Sequence, residues 1–109
     1  MAGRIERGEI RLYHFPAPDK ARPVLVLTRG SAIAYLSRVT IAPITSTIRA
    51  VPSEVVVGPE DGVRQPCAVN LHSVMTVAKD DMGRRVAQLG DERMREVCRA
   101  LAFAVGCES

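Results

Sequence analysis

The apolar residues of this 109-residue chain occur in short runs that proline and glycine interrupt, and this pattern limits the fold more than any other feature. Pro23–Thr28 (PVLVLT) is rich in β-branched residues and Leu and is too short for a helix, so we predict a buried strand. Arg38–Ile44 alternates in polarity and predicts a second strand, with Pro43 near its end or at a sheet edge. Such strands are typical of a small β-rich domain, and the length fits one domain, residues 1–109.

Further segments extend this pattern along the chain. Four more strands are predicted at Glu9–Phe15, Ser53–Val57, Cys67–Leu71 and Val74–Val77. The segments between them predict a tight connection at Pro16–Asp19, a candidate short helix within Arg29–Leu36 and a polar loop at Glu60–Gln65. We therefore expect five to seven short strands in a curled or barrel-like sheet.

The last segment has the periodicity of a helix. Asp91 is a candidate N-cap, and Gly106 is a plausible stop after the last turn. Apolar residues recur between them at the spacing of one helix face, which predicts a buried stripe: Met94, Val97, Cys98, Leu101 and Val105. We expect this helix to pack on the sheet, and we expect Phe103 to belong to the core.

Several classes of protein are disfavoured by the composition. The longest stretch without Asp, Glu, Lys or Arg is Gln65–Ala78, which is shorter than the roughly 20 apolar residues of a membrane span. The first ten residues, MAGRIERGEI, predict no signal peptide. The three cysteines, Cys67, Cys98 and Cys107, are not at metal or redox spacing, which favours reduced thiols in a cytoplasmic protein. No P-loop or zinc signature is present.

The basic residues are unusual in kind and in distribution. Thirteen of the 15 are Arg, whose planar fork suits phosphate, although a codon bias toward Arg explains this equally well. Residues 1–53 carry a net charge of +5, whereas residues 54–109 carry −2. A basic half is compatible with an anionic partner such as nucleic acid, but it does not require one.

Four segments in order resemble a known family. They are Arg7–Ile10 (RGEI), Arg22–Leu27 (RPVLVL), Ala42–Ser46 (APITS), and Thr76-Val77 followed by Leu89-Gly90 and the helix Met94–Leu101. Together they look like the MazF/PemK type of toxin from bacterial toxin–antitoxin pairs, over nearly the whole chain.

This resemblance implies a fold, a partner set and an activity. The expected fold is mainly β with a C-terminal helix, a small curled antiparallel sheet of the SH3-like barrel kind. The expected protein is a cytoplasmic homodimer that needs no metal or other cofactor and cuts single-stranded RNA at a short sequence. The RNA is expected to be mRNA, with rRNA and tRNA as other candidates. A cognate antitoxin is expected to cover the RNA groove, and part of the last helix is a candidate for the dimer interface.

The resemblance also assigns site residues. Arg22 matches the catalytic Arg before the Pro-led strand, where its fork could stabilise charge on the phosphorane. Thr45 matches a hydroxyl that could bond the phosphate or the 2′-OH, and Ser46 and Thr47 extend the row. Arg49 is the next candidate for a phosphate contact. The alternatives are a solvated Arg at a strand start and a turn of local hydroxyl-to-backbone bonds.

Two histidines and one asparagine complete the candidate set. His72 stands where the family commonly has an acid, and it could contact RNA, act in catalysis or fill a turn. His14 lies near Arg22 and is a weaker candidate, and Asn70 could read a base edge. The loop Pro16–Ala21 is short for the family, and Arg11 replaces a usual aromatic residue.

Two other functions stay open at this point. A toxin of the same fold could poison DNA gyrase without catalysis, and a small basic domain could simply bind RNA. The pairing of Arg22 with Thr45 favours the nuclease, because gyrase binding would not need that pair.

Overall fold

The computed structural model describes residues 4–16 and 20–107 of the chain. The predicted connection at Pro16–Asp19 lies, apart from Pro16, outside the described residues. Seven strands are present: β1 Glu9–His14, β2 Ala21–Val26, β3 Arg38–Thr45, β4 Glu54–Val57, β5 Cys67–Asn70, β6 Met75–Ala78 and β7 Met82–Gln88. Two α-helices, α1 Gly30–Ile33 and α2 Asp91–Val105, accompany three single 3₁₀ turns at Pro59–Asp61, Leu71–Ser73 and Lys79–Asp81.

The strands form one antiparallel sheet in the order β4-β5-β3-β2-β1-β7, with β6 also paired to β3. Within the described ranges, no pairing joins the end strands β4 and β7, so the sheet curls without closing. The prediction of a mainly β fold with a C-terminal helix is confirmed, whereas the barrel is open.

Strand β7 is the element that the sequence analysis missed. Its sequence, MGRRVAQ, has only Met82 and Ala87 buried, and its pairing with β1 is interrupted by register shifts. Bulges break the alternation on which a strand prediction rests. Gly83 is required there, because a Cβ at this position would lie 2.8 Å from the Leu12 carbonyl oxygen.

The core has two parts, one on each side of β2 and β3. Leu25 packs in the cluster under α2, whereas Val24 and Val26 pack in the cluster on the other side. Successive side chains of a strand point to opposite faces, so a strand buried on both faces needs a continuous apolar run. The PVLVLT run predicted as a buried strand therefore forms the centre of the sheet.

Helix α2 differs from its prediction at its start and in its buried face. Gly90 is the N-cap and has no side-chain cap, so the prediction that Asp91 caps the helix is wrong. Asp91 lies in the first turn instead, where its charge favours the helix dipole. Gly106, at φ 76°, ends the helix as expected.

The buried stripe is rotated relative to the predicted one. The buried residues of α2 are Met94, Val97 and Ala100, while Cys98, Phe103 and Val105 are exposed. The predictions that Cys98 and Phe103 belong to the core are therefore wrong. Ala100 and the half-buried Ala104 face the core, and their small side chains carry little weight in a hydrophobic pattern.

A buried ion pair involves Arg11, the residue that departs from the pattern of the resemblance. Arg11 Nε donates to Glu9 Oε1 at 2.8 Å, and only 5% of Arg11 and 3% of Glu9 are exposed. Arg11 also donates to the carbonyl oxygens of Gly83 (2.8 Å) and Arg4 (3.0 Å). The guanidinium therefore ties β1 to β7 and to the segment before β1.

Removing Arg11 is expected to cost far more than removing the exposed Arg85, which lies 3.7 Å from the other oxygen of Glu9. Arg11→Met leaves the Glu9 carboxylate buried without its main partner, so we expect a loss of about 3–5 kcal/mol in the free energy of unfolding. Arg85→Met should cost about 1 kcal/mol or less. Urea unfolding followed by circular dichroism measures both, and equal losses would contradict this role for Arg11.

The same pair predicts how stability depends on pH. Burial alone would raise the pKa of Glu9, but the hydrogen bonds from Arg11 and the Glu6 N–H and the charges of Arg11 and Arg85 hold that pKa below its ordinary 4.5. A carboxyl with a lower pKa in the folded state stabilises the fold above its unfolded pKa and loses that contribution as the pH falls.

We therefore expect the difference in unfolding free energy between wild type and Glu9→Gln to be largest near pH 7. It should shrink as the pH falls below about 4.5 and through the folded-state pKa. Glu60→Gln, which changes an exposed carboxylate elsewhere on the surface, is the control. A wild-type advantage that stays constant down to pH 3 would contradict the prediction.

Candidate active site

Arg22 and Thr45 lie on neighbouring strands at the same end of the sheet. Strands β2 and β3 pair Val26 with Ile41 and Val24 with Pro43. The last paired positions are Val24 and Pro43, and Arg22 and Thr45 each lie two residues beyond them at the same end of the ladder. Arg22 itself pairs with Tyr13 of β1, and Thr45 pairs with Ala68 of β5. The two residues that the resemblance named thus lie on neighbouring strands, beyond the end of the ladder that joins those strands.

Thr45 ends β3 in a half-buried position and is paired with Ala68 of β5. Its Oγ1 accepts a hydrogen bond from the Thr47 N–H at 3.1 Å, so the local hydroxyl-to-backbone bond named as the alternative does form. That bond uses a lone pair and leaves the hydroxyl hydrogen to donate to an incoming oxygen atom. The turn therefore orients Thr45 as a donor without preventing a chemical role.

The rest of the hydroxyl row is exposed. Ser46, Thr47 and Arg49 follow β3 in a loop that runs to Ser53. The backbone N–H groups of Arg49 and Ala50 both donate to Glu54 Oε1, at 2.9 and 3.1 Å. The loop thus has a defined conformation, and the side chains of its candidate residues face solvent.

Asn70 and His72 lie together at the end of β5. Asn70 Oδ1 accepts from the His72 N–H at 3.0 Å and caps the Leu71–Ser73 turn. His72 is exposed, and its Nδ1 lies 2.5 Å from Ser53 Oγ. Both residues therefore have structural bonds, and the remaining imidazole nitrogen, Nε2, is the atom that could meet a base or phosphate.

His14 is far from His72 in the sheet. It ends β1 opposite Ala21, directly beside Arg22, and it is exposed. Strands β2 and β3 lie between β1 and β5, so the two histidines do not meet across a shared ladder. This arrangement argues against a mechanism in which they act as a directly bonded pair.

Two residues near these loops were missed by the sequence analysis. Ser53 and Glu54 make the bonds to His72 and to the Arg49–Ala50 backbone described above. Neither residue stands in a recognisable motif, and their partners in the sequence are 4–19 positions away. A positive φ of 57° at Ala50 was equally invisible in the sequence.

Cys67 and Cys98 differ in their burial and in their contacts. Burial, with a smaller effect of the Asp61 charge, raises the pKa of the Cys67 thiol, which keeps it protonated and weakly nucleophilic. Cys98 is exposed, and its Sγ accepts from Arg7 Nη2 at 3.2 Å.

Across residues 4–16 and 20–107, no three His, Cys, Asp or Glu side chains cluster as metal ligands. In the same residues, no helix is long and apolar enough to cross a membrane.

Comparison with known proteins identifies the family of this chain. The family model described as PemK-like, MazF-like toxin of type II toxin–antitoxin system matches residues 6–105. The probable endoribonuclease MazF5 of Mycobacterium tuberculosis is 47% identical over 87 residues, which cover 79% of this chain and 80% of that protein.

The similar solved structures include a MazF toxin and an endoribonuclease. The Mycobacterium tuberculosis toxin MazF-mt6 has a TM-score of 0.84 and 34% identity and covers 93% of this chain and 99% of its own. An endoribonuclease in complex with its cognate antitoxin, from a mycobacterial species, has a TM-score of 0.86 and covers 97% of this chain and 99% of its own. At 24% identity that likeness concerns the fold.

These likenesses define the class as a small toxin domain built on a curled β-sheet. The chain belongs to the PemK-like, MazF-like family of toxins from type II toxin–antitoxin systems. Its curated relatives are endoribonucleases, and the alternative of a gyrase-poisoning toxin is not favoured.

Proposed function

We propose that this chain, as a single domain over residues 1–109, is a metal-independent endoribonuclease toxin that cuts single-stranded RNA at a short sequence. The observation that supports the proposal is that Arg22, near the start of β2, and Thr45, at the end of β3, lie on neighbouring strands at the same end of their ladder. A guanidinium and a hydroxyl at adjacent strand ends suit the phosphate of a polynucleotide.

The proposed reaction is an internal transfer at phosphorus. The 2′-oxygen attacks the adjacent phosphorus as its proton passes to a base, and the bond from phosphorus to the 5′-oxygen breaks as that oxygen gains a proton. The products are a 2′,3′-cyclic phosphate and a free 5′-hydroxyl. Negative charge grows on the nonbridging oxygens in the transition state, so fixed donors at this point accelerate the reaction.

Each residue of the pair has a distinct part. Arg22 stabilises the charge on the phosphorane, because a guanidinium is positively charged and offers several N–H donors in one plane. Thr45 donates its hydroxyl hydrogen to a phosphate oxygen or bonds the 2′-OH. His14, opposite Ala21 and thus beside Arg22, is the histidine that we propose for proton transfer.

The remaining candidates bind RNA rather than react with it. Ser46, Thr47 and Arg49 are exposed in one loop beyond Thr45 and suit contacts with the sugar–phosphate backbone. Asn70 and His72 carry amide and imidazole groups that suit the edge of an unpaired base. The base sequence that is read would thus depend on the turn after β5.

The partners follow from the family. We propose that a cognate antitoxin binds over the RNA-binding face, that the toxin acts as a homodimer, and that it works in the cytoplasm. The family is one of type II toxin–antitoxin systems, and one structural neighbour is described in complex with its cognate antitoxin. The net charge of +5 on residues 1–53 suits an anionic ligand.

The first test is cleavage of a long single-stranded RNA by purified protein in EDTA. We expect a few defined cuts, and Arg22→Ala should lower the rate by about 10²–10³-fold, the usual cost of losing one charge-stabilising donor. Arg84→Ala, at an exposed Arg of β7, should cut like wild type. Gel analysis with sequencing of the new 5′ ends measures both. RNA left intact by wild type, together with inhibition of gyrase, would replace the nuclease with the non-catalytic alternative.

The second test separates the hydroxyl of Thr45 from its shape. Thr45→Val keeps the branched side chain but removes the donor and the acceptor of the Thr47 N–H, so we expect kcat to fall at least tenfold. Thr45→Ser should stay within about threefold. Thr76→Val, which removes a hydroxyl bonded to Thr40 on the other half of β3, is the matched control. Equal kcat values for the Val and Ser variants would exclude a chemical role for the hydroxyl.

A further inference from the structure

Two consecutive residues, Ser53 and Glu54, connect the two loops that carry most of the candidate RNA-binding residues. The first loop is the 46–52 loop, which begins after Thr45. The second is the 71–73 turn, which contains His72. Ser53 is 7% exposed, and Glu54 begins β4, where it pairs with Asn70 of β5. We call Ser53 and Glu54 together the 53–54 clamp.

Glu54 holds the first loop through its carboxylate. One oxygen, Oε1, accepts both the Arg49 and the Ala50 N–H, and the Glu54 N–H donates to the Val51 carbonyl oxygen at 3.0 Å. Hydrogen bonds from N–H groups to a carboxylate are stronger than those between neutral groups. The backbone on both sides of Arg49 is therefore set by one side chain.

The conformation that Glu54 holds is a strained one. Ala50 has φ 57°, in the left-handed region that costs free energy for a residue with a Cβ. It is the one non-glycine residue with positive φ among residues 4–16 and 20–107. Such a residue persists only where its surroundings fix it, and backbone strain of this kind is common at functional sites.

Ser53 holds the second loop by two bonds. Its carbonyl oxygen accepts the Leu71 N–H at 2.9 Å, and its Oγ meets His72 Nδ1 at 2.5 Å. The second bond orients an imidazole that is otherwise exposed. With Nδ1 engaged, Nε2 is the ring atom directed away from the clamp, towards a ligand.

We propose that Ser53 and Glu54 are positioning residues for RNA cleavage: Glu54 aligns the loop after Thr45 for the chemical step, and Ser53 aligns His72 for reading the RNA sequence. The proposal rests on the proposed function and extends it to two residues that do not themselves touch substrate. Displacement of a catalytic group by about 1 Å can cost up to 10²-fold in rate, so a loosened 46–52 loop should be measurable.

The experiment for Glu54 uses a short RNA that contains one cleavage site. Glu54→Ala should lower kcat about tenfold with little change in KM, whereas Glu54→Gln, whose amide oxygen still accepts both N–H groups, should stay within about threefold. Glu60→Ala, which removes an exposed carboxylate three residues beyond the other end of β4, is the matched control and should behave like wild type.

A second variant keeps the test valid if Glu54→Ala lowers stability. Gly adopts a positive φ without strain, so Ala50→Gly added to Glu54→Ala should recover at least threefold in kcat. Amide hydrogen exchange provides a readout separate from activity: the Arg49 and Ala50 amides should lose protection in Glu54→Ala and keep it in Glu54→Gln. A folded Glu54→Ala protein that cuts like wild type overturns the proposal for this residue.

The proposed role of Ser53 in positioning His72 predicts a different kinetic change. Ser53→Ala keeps the backbone bond to Leu71 and removes only the contact with His72, so KM should rise at least threefold and cutting at near-match sequences should increase. Unchanged KM and an unchanged set of cut sites overturn this half. Wild-type protein that leaves RNA intact would instead overturn the proposed function, and with it the positioning role of both residues.

Discussion

Strand β3 hydrogen-bonds to three other strands, and the position of the site follows from that constraint. It pairs with β2 along one edge and with β6 and then β5 along the other. The Leu27 N–H donates to the Thr40 carbonyl oxygen. The backbone N–H and C=O groups of the even-numbered residues of β3 therefore point towards β2, and those of the odd-numbered residues point towards the opposite edge of the strand. Pro43 therefore faces the gap between the β6 and β5 ladders, where its missing N–H breaks no bond. Thr45 is the last residue of the strand.

The sequence predicted the elements whose burial leaves a strong pattern. A continuous apolar run marked β2 because that strand is buried on both faces, and the alternation in Arg38–Ile44 marked most of β3. Strand β7 left no such pattern, because only Met82 and Ala87 of its seven residues are buried and its pairing with β1 has register shifts. The buried face of α2 was predicted in a slightly rotated position, because Ala100 and Ala104 rather than Cys98 face the core. Elements whose own sequence shows a pattern of buried residues could thus be predicted. Elements whose position depends on pairing or packing against another element could not.

The same distinction separates the candidate site residues that were predicted from those that were not. Arg22 and Thr45 were predicted because they stand in motifs that resemble a family, and they lie on the neighbouring strands β2 and β3 at the same end of the ladder between them. Ser53 and Glu54 were not predicted, because their roles arise from hydrogen bonds between segments that meet only in the fold. Arg11 was predicted only as a departure from the family. The structure shows its physical meaning, which is a buried guanidinium in place of an aromatic ring, with its charge met by Glu9 and two carbonyl groups.

The proposed catalytic residues and the proposed RNA-binding residues are held in different ways. Arg22 and Thr45 lie at the ends of strands that pair with their neighbours in the sheet. Arg49 and His72 lie in loops that are held by hydrogen bonds with a few side chains, with Glu54 and Ser53 among them. Thr45 and Asn70 provide the others. Changing one of those side chains alters a loop without disturbing a ladder. Specificity can therefore change by substitution at the clamp and loops while the sheet that carries the proposed catalytic pair stays the same.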